Sequence, residues 1–286
     1  MSTIVETPAL ARAADRGRRA RPVRPAAGFW RLRQPISRRS RNTLMVVSAA
    51  VPLVAWVVLS GTGAVSPLFL PSPLAVARAF GKLASSGALW RDLTASLSRV
   101  GLGFLLAVAI SVPLGLAMGT FPSCRALFEP MIGLLRYMPA PAFIPLLIIW
   151  LGLGESSKIV LLLIGTVFFN TLMSADAASH VPMELIDASY TLGASKWTVV
   201  RRVVFPYALP GLIDAMRVNI AATWNLVVVA ELIAATKGLG YRISQAQRFL
   251  HTDQIFAVLI VIGVIGVASD LFFRFLRNAV APWARS

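Results

Sequence analysis

Long apolar runs alternate with short charged segments along this chain, and six of the runs are long enough to cross a bilayer. A membrane-spanning helix needs about 20 predominantly apolar residues, with a range of about 17–25. Most of the runs have no Asp, Glu, Lys or Arg between their ends, which is typical of segments surrounded by lipid. The predicted spans cover residues 44–59, 100–118, 137–153, 159–175, 213–234 and 254–273. The pattern predicts an all-α membrane protein with about six transmembrane helices.

Three prolines interrupt the third span, at Pro139, Pro141 and Pro145. Proline removes backbone hydrogen bonds, and inside a membrane the freed groups must be satisfied by protein or by a water-filled cavity. We therefore predict a kinked or broken helix here, preceded by a short turn at residues 120–126. The second span is instead predicted to pack closely against a neighbour. Its small residues are Gly101, Gly103, Ala107, Ala109, Gly115 and Ala117.

A short amphipathic helix is predicted between the first two spans. Ser72 followed by Pro73 is typical of a helix N-cap and first turn. Apolar residues then recur on one predicted face, at Leu74, Ala77, Phe80 and Leu83. The segment is too short and too charged to cross the bilayer.

Composition supports the membrane assignment and adds a basic tail. The chain is 57% hydrophobic and 14% charged, against about 45–50% and about 25% for soluble domains. Eleven arginines lie between Arg12 and Arg41, with Glu6 and Asp15 the only acids before them or among them. Residues 1–42 are predicted to be a disordered cytoplasmic tail and residues 43–286 the transmembrane domain. Nucleic-acid binding is one alternative, but no aromatic residues are interleaved with the arginines. A twin-arginine export signal at Ser37–Arg39 is another, but no cleavage site follows it.

Six spans place both termini on one side of the membrane. Since positive charge stays inside, the basic tail and the C-terminal arginines predict that this side is the cytoplasm of a bacterium, with the chain in its inner membrane. The charged segment at residues 176–212 then faces the cytoplasm as well. It is long enough for one or two helices outside the bilayer.

The sequence offers no recognisable enzyme site. It has no G-x-x-x-x-G-K-[ST] phosphate loop, no H-E-x-x-H and no G-x-S-x-G. Its one cysteine, Cys124, is expected to be a small buried residue, and His180 and His251 have no metal-ligand spacing. We therefore expect no enzymatic activity, no cofactor and no metal.

One motif in the cytoplasmic segment is informative. It reads Asp187-Ala188-Ser189, then Gly193, and after nine residues Val203-Val204-Phe205-Pro206. This resembles the "EAA" signature of ATP-binding-cassette importer permeases, with Asp in place of Glu, Ser in place of Ala, and Val and Phe before the proline. The resemblance implies two short helices with a turn at the glycine, the first of which docks on the ATPase subunit. The implied docking residues are Asp187, Ala188, Ser189, Gly193 and Pro206. An ordinary helical hairpin is the alternative.

From about Leu70 to the C-terminus the chain is similar to permeases for taurine, aliphatic sulfonates, nitrate and bicarbonate. The segments that show this similarity are residues 70–73, RYMPAPAFIPLLIIWLGLGE at residues 136–155, and residues 249–253. The similarity implies a second permease copy, most simply as a homodimer, two ATPase subunits, an extracytoplasmic solute-binding protein and contact with lipid. Trp224, Glu231 and residues 238–240 and 249–253 resemble the taurine and sulfonate permeases more than the nitrate or bicarbonate ones. The resemblance therefore ranks taurine or sulfonate first, nitrate second and bicarbonate third. A self-contained secondary transporter or channel is the rival, and it would want ionisable residues inside the spans; Arg217 and Glu231 are predicted near span ends.

Polar residues within the spans are candidates for a translocation path. They are Ser111, Thr166, Asn170, Asn219, Thr223 and Asn225. Each can equally serve as a hydrogen bond between neighbouring helices. Arg99 and Arg136, both predicted near span ends, could attract anions or could extend to the lipid headgroups.

Overall fold

The computed structural model describes residues 36–284, and every element in that range is a helix. The α-helices are α1 (Arg38–Gly61), α2 (Pro73–Ser85), α3 (Ala88–Thr120), α4 (Pro122–Leu135), α5 (Ile144–Leu151), α6 (Glu155–Ser179), α7 (Met183–Thr191), α8 (Lys196–Val199), α9 (Phe205–Ala234), α10 (Leu239–Arg248) and α11 (Thr252–Val280). A 3₁₀-helix spans Ala140–Phe143, a π-helical turn at Val200–Val204 joins α8 to α9, and a last 3₁₀ turn spans Pro282–Ala284.

Five helices of the described chain are long and apolar enough to cross a membrane, and a bent pair makes a sixth. The five are α1, α3, α6, the continuous helix from Lys196 to Ile233, and α11. The predicted all-α fold with about six spans is therefore confirmed. Most of the spans are longer than predicted because charged residues such as Arg91, Asp92 and Arg277 continue the helices beyond their apolar centres.

Two compact units divide at Ala55, so α1 is described largely by itself. It contains Pro52 and begins at Arg38, five residues before the predicted domain boundary. Residues 1–35, which hold most of the predicted disordered tail, lie outside the described residues.

In the second unit, α3, α6 and α9 pack together along much of their length. The face of α3 towards α6 carries a small residue every fourth position, at Gly103, Ala107, Ser111 and Gly115. A Cβ atom at Gly115 would lie 2.5 Å from Ser174 Cβ, so the helix axes approach as closely as glycine allows. Of the predicted packing residues, Gly103, Ala107 and Gly115 lie in this contact. Gly101 and Ala109 do not, because the four-residue repeat turns them away from α6.

The third span is a broken helix. Helices α4 and Ala140–Leu151 form a pair bent by 80°, and the break falls at residues 136–139. The break is confirmed, but two details of the prediction are wrong. The predicted turn at residues 120–126 is helical from Pro122 onward, because proline is well tolerated in the first turn of a helix. Residues 137–153 hold only a 3₁₀ turn and eight residues of α5, about 12 Å of helix, which is too short to span alone.

Helix α2 forms at the predicted place but buries a different face. The Ser72 hydroxyl accepts a hydrogen bond from Ala75 N at 3.2 Å, which makes Ser72 the predicted N-cap. Val76, Ala79 and Leu83 are buried, in contact with α3 or α11, whereas Leu74, Ala77 and Phe80 are exposed. Apolar periodicity found the helix but not its inner face, because lipid-facing positions are apolar as well.

Candidate functional site

The α7–α8 hairpin leaves the bundle between α6 and α9. Helix α7 ends at a Schellman motif, in which Ala194 N donates to Ser189 O at 3.0 Å and Gly193 N donates to Tyr190 O at 2.9 Å. Gly193 has φ +80°, a left-handed conformation that explains why glycine occupies this turn. Ser195 is the N-cap of α8, and its hydroxyl accepts a hydrogen bond from Thr198 N. The two helices and the glycine turn predicted from the motif are present.

The hairpin exposes several large apolar side chains. The exposed fraction is 88% at Leu192 and 72% at Trp197, and Met183, Leu185 and Tyr190 are also exposed. Asp187 and Ala188 are exposed beside them, and Ser189 is half-buried. Exposed apolar residues on and beside a helix as short as α7, which cannot cross a membrane, are typical of a surface that another protein covers.

The base of the hairpin is packed firmly onto the membrane helices. Val199, Val204 and Leu212 are buried in one cluster with Ala178 and Val181 at the end of α6. Pro206, the last residue of the motif, lies half-buried at the start of α9. Since α8, the π-helical turn and α9 are continuous, a displacement of the hairpin would pass directly into α9.

Five of the six predicted path residues lie in the packed contacts among α3, α6 and α9. They are Ser111, Thr166, Asn170, Asn219 and Thr223, all at most 4% exposed. Asn170 donates to Ser111 Oγ at 2.6 Å, Asn219 donates to Asn170 Oδ1 at 3.2 Å, and the Thr166 and Thr223 hydroxyls are 3.0 Å apart. These bonds join neighbouring helices. A part in transport for the five residues stays a prediction.

Asn225, the sixth, is exposed in a groove between the break of the third span and helices α6 and α9. The groove has a volume of about 530 Å³. Arg136 and Pro139 line it from the break, Phe168 lines it from α6, and Asn219 lines it beside Asn225 on α9. The groove therefore lies where the span is interrupted by a non-helical segment.

A buried ionic cluster ties the helices together at the end away from the hairpin. Arg99, only 1% exposed, donates to both Glu155 carboxylate oxygens, at 2.5 and 2.8 Å, and to Glu231 Oε1 at 2.6 Å. Glu231 also accepts from Ser96 Oγ at 2.7 Å and from Gly240 N at 2.8 Å. Arg99 Nη1 also donates to Lys237 O at 2.8 Å, so one guanidinium connects α3 with α6, α9 and the segment before α10.

A second pair reinforces the same end. Asp92 is 1% exposed; it accepts from Gly238 N at 3.1 Å and from Arg242 Nε at 2.7 Å. Gly238 and Gly240 are close to the Glu231 side chain, and a Cβ at Gly240 would lie 2.5 Å from Val228 O. The glycines therefore let this segment pack directly on the end of α9.

The structure separates the two arginines that the sequence treats alike. Arg99 neither extends to headgroups nor faces an anion path, because both sides of its guanidinium are occupied by carboxylates. Arg136 lines the groove. No local spacing joins the partners in these ion pairs: Arg99 is 56 positions from Glu155 and 132 from Glu231, and Asp92 is 150 positions from Arg242. The one available signal was that ionisable residues inside apolar runs need partners.

The predicted position near a span end is right for Glu231 and wrong for Arg217. Arg217 lies twelve residues after Phe205, the first residue of α9, and forms an ion pair with Asp270 of α11. Glu231 lies two residues before Ile233, the last residue of that span, and is paired with Arg99. Both are held by structural partners in the described chain. Cys124, predicted to be buried, is half-buried on α4.

A bundle of apolar helices with a broken span, a groove at the break and an exposed hairpin defines an integral membrane protein organised for solute transport. The chain belongs to the binding-protein-dependent transport system inner membrane components, whose family pattern matches residues 111–286. It is a permease of the ATP-binding-cassette importers and an inner-membrane protein. This assignment rejects the self-contained secondary transporter.

Relatives match over most of the chain. The taurine transport system permease protein TauC of Escherichia coli is 38% identical over 88% of this chain and 92% of its own length. The putative aliphatic sulfonates transport permease protein SsuC of Bacillus subtilis is 32% identical, over 83% and 86% respectively. Among solved structures, an inward-facing MetNI methionine ABC transporter matches with a TM-score of 0.62 at 22% identity, over 69% of this chain and 98% of that one, which supports the fold.

Proposed function

We propose that this permease imports a small organic sulfonate, such as taurine, and that its α7–α8 hairpin docks on a separate ATPase subunit. The observation that carries the docking proposal is the hairpin itself, with exposed Leu192 and Trp197 around the small residues Ala188 and Ser189. Small side chains let a helix enter a groove deeply, and exposed apolar residues beside them supply area to bury.

The charge distribution supports an orientation with the hairpin in the cytoplasm. Six crossings place the hairpin, between the fourth and fifth, on the same side as both termini. The Arg-rich N-terminal segment and the C-terminal arginines assign that side to the cytoplasm by the positive-inside rule. An ATPase can reach the hairpin only there.

The remaining partners follow from the family. An extracytoplasmic solute-binding protein delivers the substrate, and a second copy of the chain closes the α6–α9 groove as a homodimer. The sulfonate assignment rests on the similarity to TauC and SsuC and on the resemblance of this chain's C-terminal part to taurine and sulfonate permeases. Nitrate is the second candidate and bicarbonate the third.

Enlarging the docking helix tests this function. Ala188→Trp places a large side chain on the exposed face of α7, where the chain itself has room. We expect the variant to insert normally but to lose co-purification with the ATPase subunit and ATP-dependent taurine uptake in proteoliposomes. Ala126→Trp, at an exposed alanine of α4, is the matched control and should retain both.

Two outcomes would contradict the proposal. Wild-type assembly and uptake in Ala188→Trp would show that α7 is not the docking element. Uptake of nitrate with no uptake of taurine or other sulfonates in the wild-type complex would reject the substrate and leave the docking surface standing.

A further inference from the structure

We propose that Arg136, at the break of the third span, binds the oxyanion group of the transported anion inside the membrane, with Asn225 as a second donor. This inference rests on the proposed function and names the site through which the anion would pass. It assigns a role to one of two arginines that the sequence could not distinguish.

The groove lies near the middle of the bundle along the helix axes. Gly165, which lines it, is ten residues beyond Glu155, the first residue of α6, or about 15 Å along the axis. Asn225 is nine residues before Ala234, the last residue of α9, or about 14 Å from the same end. The hydrocarbon core is about 30 Å thick, so both counts place the groove near mid-membrane.

Arg136 is the only charged side chain that lines this groove in the described part of the chain. Its Nη2 donates to Tyr137 Oη at 3.0 Å, and its guanidinium carbon lies 4.9 Å from the centroid of the Tyr137 ring. Its Nε atom is buried and has no hydrogen-bond partner among residues 36–284. A buried guanidinium N–H without an acceptor is costly and indicates a missing anionic or polar partner.

No carboxylate of the described residues lies within ion-pair distance of Arg136. Glu129, on the same helix, is paired with Arg125 at 2.9 Å. Arg99 and Arg217, two other arginines inside the spans, have acidic partners, and the buried Lys158 donates to the backbone oxygens of Leu153 and Gly154. An uncompensated charge at membrane depth is expensive, and it is typical of a substrate pathway.

The groove suits a sulfonate with a short hydrocarbon stem. A guanidinium offers two parallel N–H donors that match two oxygens of an oxyanion. Asn225 uses Nδ2 to donate to Ala221 O at 3.1 Å, which leaves its second amide hydrogen available. Apolar side chains, among them Phe168 and Leu226, line much of the remaining wall.

A second cavity continues towards the hairpin and has the opposite charge. It shares Met173 and Val218 with the groove and is lined by Asp176 and Asp214. Asp214 is paired with Arg277 at 3.2 Å, so Asp176 is the carboxylate there that would repel an anion. The Arg136 groove is therefore the site that binds the anion.

One structural explanation competes with anion binding. Arg136 is the C-cap residue of α4, where any cation interacts favourably with the helix dipole. Lysine would serve that role equally well but cannot form a two-pronged contact with an oxyanion. The lysine variant therefore separates the two roles.

Transport by the complete complex provides the first test. Arg136→Gln should lower the rate of taurine uptake at least about tenfold while the amount of assembled complex is unchanged. Arg136→Lys should be intermediate. Arg125→Gln removes an arginine from the same helix outside the groove and should transport normally. Unchanged uptake in Arg136→Gln, or loss of the assembled complex, would overturn the proposal.

Reactivity of a cysteine in the groove tests the same point without transport. Asn225→Cys is made in a Cys124→Ser background, so that the chain has a single thiol. A methanethiosulfonate carrying a sulfonate should react at least about fivefold faster with Arg136 present than with Arg136→Gln, and one carrying a quaternary ammonium should react more slowly. Equal rates would overturn the proposal. Failure of wild-type ATP-driven uptake would reject the proposed function alone, since this comparison still decides the role of Arg136.

Discussion

Removing Arg99 should destabilise the protein far more than removing an arginine from its surface. Arg99→Met leaves Glu231 buried without its cation, although Ser96 and the Gly240 amide still donate to it. Breaking a buried ion pair by removing one partner costs about 3–5 kcal/mol. Glu155 adds little to this cost because its side chain is 51% exposed and returns to solvent.

The partner substitution should cost less. Glu231→Gln keeps the shape of the side chain and one acceptor oxygen, and Arg99 retains its two-pronged contact with Glu155. The NH2 group of the new amide replaces a carboxylate oxygen that accepted hydrogen bonds, so it faces another donor without an acceptor. The cost is about 1–3 kcal/mol. The double variant removes both charges, so its loss should be smaller than the sum by about 1–3 kcal/mol.

Thermal unfolding in one detergent measures these differences. At about 2–4 °C per kcal/mol for a chain of this size, Arg99→Met should lower Tm by about 6–20 °C. Arg125→Met is the matched control, since Arg125 and Glu129 are 45% and 46% exposed, and it should unfold like the wild type. Additivity of the two single changes to within about 0.5 kcal/mol would refute the reasoning, as would equal effects of Arg99→Met and Arg125→Met.

Two further predictions concern glycines. Gly115→Leu should impair folding and membrane abundance, because a Cβ at this position would lie 2.6 Å from Thr171 O. Gly101→Leu, whose Cβ would meet nothing within 4 Å, is the control and should accumulate normally. Equal abundance of the two variants would contradict the close α3–α6 contact. Gly193→Val should reduce ATPase co-purification severalfold, because a β-branched residue resists φ +80°, while Gly193→Asn should retain most of it; indistinguishable pull-downs would show that the left-handed turn is dispensable.

The sequence alone determined the class of protein and most of its helices. Apolar length fixes membrane helices because each must satisfy its backbone hydrogen bonds internally, so the spans could be predicted without knowing their neighbours. The hairpin was predicted from the resemblance of its motif to the importer-permease signature, which implies a turn at the glycine. Gly193 has the left-handed conformation that such a turn requires.

Only the tertiary structure decided which residues meet. Periodicity could not find the buried face of α2, because lipid-facing residues such as Phe80 are as apolar as the core residue Leu83. Nor could it separate Arg99 from Arg136, since both follow from sequence as arginines near the ends of apolar runs. Arg99 is neutralised by carboxylates from two helices that are distant in sequence. Arg136 lies instead at the 80° break, where its side chain lines a groove. Partners so far apart in sequence are set by helix packing, which local pattern does not encode.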